Sequence, residues 1–272
     1  MHRVFAACSF LLLVFAVPSL ACTGVVISGD GHIVVGGNED WQRWDSFLWA
    51  DAATSTLHGV VYFGYEVRGE FGASRPPFWF EFQGINDAGL FFDSFGAPCA
   101  GQADEDTMKP RFSGRIEQLI MRWCSTVEEA VRLMTQYDRS YMSCTQYLLV
   151  DRTGAAAVVE RGEVVWMTDD TFAVTNFHLS DPTHGSFPCW RYREATRMLA
   201  QDSTPTVERV AEILDAAHLP STRYSVVCDL TEPTAYVFYA QDFDRPIAID
   251  LEPYWSDGSD RIALGSLRTQ RP

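Results

Sequence analysis

Basic residues are scarce in this chain of 272 residues: 21 Lys+Arg stand against 36 Asp+Glu, for a formal net charge of −15. That balance argues against a nucleic-acid binder or a protein that sits on an anionic membrane, because both need basic patches. Beyond the first 21 residues no apolar run approaches the ~20 residues that a spanning helix needs, which excludes a later transmembrane anchor. There is no CxxC pair and no Cys/His spacing of the kind that holds zinc, so neither a metal nor another cofactor is expected. Internal repeats and low-complexity linkers are absent too, which excludes solenoids and flexible tandem arrays. What the chain does have is 47% hydrophobic and 13% aromatic residues. That is enough to bury a full core without staples, and it excludes a disordered chain.

Residues 1–21 read MHRVFAACSFLLLVFAVPSLA. A basic start at Arg3 precedes an apolar run, then Pro18 and the small-x-small pair Ser19-Leu20-Ala21. This is the pattern of a secretory signal peptide cleaved after Ala21, so export to the periplasm or medium is expected, with one domain over 22–272.

Cleavage there makes Cys22 the first residue, and a cysteine in that position has three readings. It could be a lipoprotein anchor, although Ser19 and Leu20 stand in the reverse of the order such a signal prefers. It could be one half of a disulfide. It could also be an N-terminal nucleophile, with thiol and α-amine on one residue. An α-amine of ordinary pKa, ~7.7–8.0, is a general base near neutral pH, and the thiol reacts as thiolate. Anchor and nucleophile exclude each other, because lipoprotein maturation acylates the amine that would be the base.

The chain continues CTGVVISGDGHIVVGGNEDW. Two alternating runs flank Gly29-Asp30-Gly31, the pattern of a β-hairpin, which brings Asp40 back beside Cys22. A carboxylate there can hold an α-amine by a charge-assisted hydrogen bond.

This segment resembles the linear amide C–N hydrolases of the N-terminal nucleophile superfamily, the group of penicillin V acylases, choloylglycine (bile salt) hydrolases and related acyltransferases. Their mature chains begin Cys-Thr and reach a Gly-Arg-Asn-x-Asp segment. Asn38 and Asp40 match, whereas Gly37 stands where the family has a site arginine. Gly84-Ile85-Asn86-Asp87-Ala88-Gly89-Leu90 resembles a second family segment and reads as a turn between strands. Phe172-Ala173-Val174-Thr175-Asn176-Phe177 resembles the strand that ends in Thr-Asn, and the resemblance implies that Asn176 donates to an oxyanion hole. Trp190-Arg191-Tyr192 resembles the segment that supplies a further site arginine, which assigns Arg191 to lowering the thiol pKa and steadying the charges around it. A second departure lies near Gly96, where no Asn or Tyr stands to complete the oxyanion hole. The resemblance runs in short motifs from Cys22 to about Asp250, and the residues beyond read as polar loop.

Strand-like runs fall at 23–28, 32–37, 58–64, 78–82, 89–95, 145–151, 154–160, 163–167, 171–175, 224–230 and 234–240. Helical runs fall at 113–124, at 126–137 behind the capping box Thr126-Val127-Glu128-Glu129, at 191–200 and at 206–217. Strands, two helices, strands, two helices, strands suits an α+β protein with two sheets between helix layers. The resemblance names that arrangement the four-layer αββα sandwich. The stretch 99–110 reads as a surface loop at a site rim.

Trp41 and Trp44, next to Asp40, are the expected lining of a substrate pocket. Trp49 and Phe78-Trp79-Phe80 read mainly as core packing. With Cys22 as nucleophile, five cysteines remain, so at least one is free or pairs between chains. His178 and His184 read as unrelated surface residues. The expectation is a secreted N-terminal cysteine amidohydrolase that acts on a small-molecule amide, with Cys22, Asp40, Asn176 and Arg191 at the site. An acyltransferase, and a surface lipoprotein or inactive binding module on the same fold, stand as the alternatives. Oligomeric state is left open, with a homo-oligomer among the outcomes.

Overall fold

The computed structural model describes residues 21–42, 45–67, 78–99, 108–142, 144–181 and 189–268. Residues 1–20 of the expected leader, Trp44, His184 and most of the 99–110 loop lie outside the described residues.

The chain opens with the expected hairpin. β1 (Thr23–Gly29) pairs antiparallel with β2 (His32–Asp40), with Thr23 opposite Asn38. The two-residue loop has Asp30 at φ 51° and Gly31 at φ 84°. Asp and Gly are the residues that tolerate this left-handed backbone, and such a turn matches the twist of the strands. On β1 the side chains alternate: Val25 and Ile27 face one helix layer, while Val26, and Cys22 just before the strand, face the second sheet.

Two sheets follow from the rest of the chain. The first has the order β10 (Thr171–Val174), β1, β2, β11 (Thr222–Asp229), β12 (Thr234–Tyr239), β13 (Ile247–Asp250). The second has the order β14 (Ser259–Ala263), β3 (Ser46–Asp51), β4 (Val60–Val67), β5 (Phe78–Asn86), β6 (Phe91–Gly96), β7 (Thr145–Val150), β8 (Ala156–Val159), β9 (Val164–Trp166). Every pairing between these strands, among the described residues, is antiparallel.

α1 (Ile116–Trp123) and α2 (Val127–Met134) cover the outer face of the second sheet, with Ile120 and Val131 packed on Tyr62, Phe92 and Leu149. α3 (Trp190–Gln201) and α4 (Val207–Ala216) cover the first, with Val210 and Ile213 packed on Val25, Val34 and Val227. The central core lies between the sheets, where Val26, Val35, Phe63, Phe95, Leu148 and Val226 meet. The architecture is the α+β, four-layer αββα arrangement. The capping box of α2 forms as expected, with reciprocal bonds between Thr126 and Glu129.

The expectation of loop beyond Asp250 is corrected. A short helix, α5 (Glu252–Asp257), is anchored by Trp255, whose indole N–H donates to the Ile85 carbonyl at 3.2 Å. β14 then pairs with β3, and α6 (Leu264–Leu267) ends the described chain. β14 is an edge strand with exposed Asp260 and Arg261, so it lacks the apolar alternation that reveals a strand. Among the described residues no helix is long and apolar enough to cross a membrane.

Cys99 and Cys144 form a disulfide that joins the chain just past β6 to the start of β7. Cys22, Cys124, Cys189 and Cys228 are free.

Candidate active site

β1, β2, β6 and β10 each begin or end at one end of the sandwich, and Cys22 lies there at the mouth of β1. It is almost fully buried, at 1% exposure. Its backbone nitrogen, in peptide linkage to Ala21, donates to Asn176 Oδ1 at 2.7 Å.

Asn176 lies two residues past the end of β10 and is held from both sides. Gln146, reaching from β7 in the opposite sheet, donates through Nε2 to the carbonyls of Thr175 and Phe177, at 2.6 and 3.1 Å. The carboxylate of Glu160 accepts from the backbone of Leu179 and Ser180 just beyond. Asn176 Oδ1 accepts from two donors, Cys22 N and Arg191 Nη2 (2.9 Å), which fixes which way the amide points. Its Nδ2 donates to the Gly96 carbonyl at 2.8 Å. That bond uses one of the two amide hydrogens and leaves the second for an oxyanion.

Arg191, in the first turn of α3, is the hub. Its Nη1 donates to the Cys22 carbonyl at 2.5 Å and to Thr23 Oγ1 at 2.9 Å, and lies 3.9 Å from Asp40 Oδ2. Its planar fork reaches all four groups at once, which a lysine does not. The neighbouring Arg193, exposed on the helix, takes no part.

Asp40, at the end of β2, accepts a hydrogen bond from Thr222 through Oδ1. Its Oδ2 is buried without a donor. Burial raises its pKa to about 7, against the opposing pull of Thr222, Arg191, His218 and Arg223. The sequence expectation placed Asp40 on the Cys22 nitrogen; in the peptide-linked chain that nitrogen goes to Asn176, and Asp40 keeps an unfilled oxygen. Its backbone amide instead supports the Cys22 sulfur. Asn38, the other matching motif residue, turns to the helix layer: Nδ2 donates to the Leu214 carbonyl at 2.8 Å and Oδ1 accepts from Ser225. It ties β2 to α4 and β11 and stands apart from the sulfur.

Around the thiol the field is negative. Burial pushes the Cys22 pKa well up, and the carboxyls of Glu39, Asp40 and Asp93 push it further. Glu39 (β2) and Asp93 (β6) are both fully buried, and burial raises both of their pKa values. Gln83 on β5 donates to Asp93 Oδ2 at 2.9 Å, and the Ser94 backbone supports the same carboxylate. The proton that such a pair retains therefore rests on Glu39. Sequence reasoning missed Glu39, Gln83 and Gln146. An acid or amide on an alternating strand gives no sign of facing inward, and only the register shows it.

Gly37 explains its own lack of a side chain. A methyl group placed there would lie 2.0 Å from Asp93 Oδ2 and 2.6 Å from Gln83 Nε2. The space beside Gly37 is occupied from the facing sheet.

Trp41 lies half-buried beside this cluster, stacked on Tyr65 at 5.6 Å between ring centroids and tilted on Phe82 at 5.7 Å. Trp49 and Trp79 pack instead in the core between the second sheet and its helices, as expected for core aromatics. His178 lies against the Pro98 carbonyl and Glu160, away from Cys22. Gly84 to Leu90 forms a scaffold turn in which Asn86 Oδ1 accepts from Ala88 and Leu90.

Two antiparallel sheets between helix pairs make a four-layer sandwich that solved N-terminal nucleophile hydrolases share. Solved structures bear this out. A penicillin V acylase from Agrobacterium tumefaciens superposes with a TM-score of 0.63 at 16% identity, over 92% of this chain and 94% of that chain. A Cys-to-Ala mutant of the conjugated bile acid hydrolase from Clostridium perfringens gives 0.66 at 15% identity, over 89% of this chain and 96% of that one. An Arg-to-Leu variant of the same hydrolase gives 0.67 at 13% identity, with the same coverage. No protein-family model and no curated protein matches the sequence.

Proposed function

We propose that this chain is an exported N-terminal cysteine amidohydrolase that cleaves a linear C–N amide through a thioester on Cys22. The observation that carries the reading is the buried network in which Arg191 grips the Cys22 carbonyl, Thr23 and Asn176, while Asn176 accepts from the Cys22 nitrogen. The names of the structural relatives, an acylase and a conjugate hydrolase, fit the same chemistry. The Cys99–Cys144 disulfide fits an oxidising compartment.

Removal of residues 1–21 turns the Cys22 nitrogen into a free α-amine. Asn176 Oδ1 keeps one of its hydrogens, and the unfilled Asp40 Oδ2 is the acceptor for an ammonium form. The thiol is held protonated by its buried, acidic surroundings, so it reacts by passing its proton to its own amine as the sulfur attacks the carbonyl. The tetrahedral oxyanion takes the free hydrogen of Asn176 Nδ2. As the C–N bond breaks, the α-ammonium returns the proton to the leaving nitrogen, and an amine departs. Water, deprotonated by the same amine, then adds to the thioester and releases a carboxylic acid and the thiol. Arg191 holds Cys22 and Asn176 in register throughout, and Trp41 forms an apolar wall for the substrate.

The test is a panel of linear amides offered to the wild-type chain, Cys22→Ser and Cys22→Ala. Cys22→Ala is expected to lose turnover by at least a thousandfold. Undiminished hydrolysis by Cys22→Ala removes the mechanism.

A further inference from the structure

Three polar side chains from distant parts of the chain meet at the other end of β6 from Cys22. β6 ends at Gly96, whose carbonyl binds Asn176, and its start at Phe91 follows the turn that carries Asp87. Asp87 Oδ1 lies 2.6 Å from His58 Nδ1, and His58 Nε2 lies 3.1 Å from Ser125 Oγ. Asp87 Oδ2 also accepts from the Gly59 backbone at 2.9 Å. A carboxylate only accepts, so Nδ1 carries the ring proton and Nε2 is left to accept from the Ser125 hydroxyl. An acid on one imidazole nitrogen and a hydroxyl on the other is the arrangement that activates a serine nucleophile, whatever the fold.

The loops that carry the three residues are tied together by other bonds. The His58 N–H donates to the Arg122 carbonyl at 3.0 Å, and Arg122 Nη1 donates to the His58 carbonyl at 2.5 Å. The Asp87 N–H donates to the Gly59 carbonyl at 3.0 Å. Buried Asn86 donates through Nδ2 to the carbonyls of Met121 and Cys124, at 2.9 and 2.8 Å, which joins the Asp87 turn to the residue before Ser125. The Ser125 N–H donates to Glu129 Oε2 at 2.8 Å. The side-chain relay is therefore not needed as a staple, and its members are held in one geometry, as a reactive centre requires. All three residues are half-buried, so the relay stands at the surface. Arg122 also lines an open cleft of about 630 Å³, whose wall carries Asp51, Asp257 and Asp260. That cleft gives a small ester room and disfavours an anionic one.

We propose that Ser125, His58 and Asp87 form a second nucleophilic centre, separate from Cys22, that takes its acyl group from small uncharged esters. Ser125 Oγ attacks the ester carbonyl while its proton passes to His58 Nε2. The ester C–O bond breaks, the imidazolium gives that proton to the departing alcohol oxygen, and Ser125 is left acylated. Water, losing a proton to the same nitrogen, then adds to the acyl-serine and releases a carboxylic acid and the free hydroxyl. Asp87 acts through His58: it orients the ring and stabilises the cation that forms there.

The experiment uses the chain beginning at residue 22 in its Cys22→Ala form, so that the Cys22 thiol takes no part. A fluorophosphonate and p-nitrophenyl acetate are the probes, and peptide mapping by mass places the label. Ser125 is expected to be phosphonylated at least tenfold faster than any other serine, and Ser125→Ala to lower p-nitrophenyl acetate hydrolysis at least tenfold. His58→Ala is expected to slow labelling of Ser125 at least tenfold, with part of the rate restored by added imidazole. Asp87→Asn is expected to slow it as well, and Asp87→Glu to recover part of the loss. A p-nitrophenyl ester whose acyl group bears a carboxylate is expected to react at least fivefold more slowly than the acetate; an equal or faster reaction overturns the choice of uncharged esters. Labelling of Ser125 no faster than that of other serines overturns the proposal, as does a rate indifferent to His58→Ala in folded protein, or ester hydrolysis undiminished in Ser125→Ala. If a substitution unfolds the chain, the comparison of Ser125 with the other serines in Cys22→Ala alone decides. None of these outcomes depends on whether Cys22 cleaves amides, so the two readings fail separately.

Discussion

Gly37 and Asp93 face each other across the gap between the sheets so closely that a single methyl on Gly37 would lie 2.0 Å from the Asp93 carboxylate. The contact joins β2 to β6 next to Cys22. Gly37→Ala is expected to destabilise the fold by about 1–3 kcal/mol, the usual cost of overpacking. Asp93→Ala in the same chain removes the clashing oxygen, so the double variant is expected to lose clearly less stability than the two single losses added together. Urea denaturation of the four chains measures the coupling; strict additivity places Gly37 and Asp93 apart.

Arg191 carries four contacts from one buried side chain, so its removal is expected to be costly twice over. Arg191→Met leaves Asp40 and Asn176 Oδ1 without their cation, and breaking a buried charged network of this kind costs about 3–5 kcal/mol. Turnover is expected to fall at least a hundredfold with the loss of Cys22 and Asn176 register. Arg191→Lys restores the charge without the fork and is expected to recover stability better than activity. Equal recovery of both confines Arg191 to a charge-balancing role.

Asp40 ties the stability of the full chain to pH. Burial raises its folded pKa from 3.8 to about 7. The folded chain therefore holds the proton more tightly than the unfolded one. The stabilisation is complete below pH ~4, falls as pH rises, and is gone above pH ~7. A shift of this size corresponds to roughly 4 kcal/mol between the two limits. Asp40→Asn is expected to flatten that part of the curve, measured as the difference in unfolding free energy between wild type and variant from pH 4 to 7.5. Parallel curves contradict the burial of a protonated Asp40.

The Cys99–Cys144 bridge closes a loop of 45 residues and clamps the chain beside Gly96, whose carbonyl binds Asn176. Double substitution of the pair by alanine is expected to cost about 2–4 kcal/mol of stability. Activity is expected to fall with it, because Asn176 loses a fixed partner. Calorimetry with and without a reductant checks the first expectation, and an amide assay under the same conditions checks the second.

Much of the frame was legible in the sequence because it depends on local chemistry. Asp30-Gly31 announces the first turn, and Thr126 with Glu129 announces the start of α2. Cys22, Asp40, Asn176 and Arg191 come together from elements far apart in the chain, and the motif resemblance picked out all four. In the peptide-linked chain the Cys22 nitrogen donates to Asn176. The edge strands β13 and β14 left no trace, because half-exposed strands carry no strict alternation. Glu39, Gln83 and Asp93 were invisible as a group for a different reason. They lie on three separate strands, β2, β5 and β6, and only the facing of two sheets makes them a cluster.

The most direct test of the central claim is the intact mass and N-terminal sequence of the exported protein. The account predicts a chain that begins at Cys22 with an unmodified α-amine. A chain that begins elsewhere, or a Cys22 carrying lipid on its amine, removes either the nucleophile from its place or the base from the reaction, and contradicts the account.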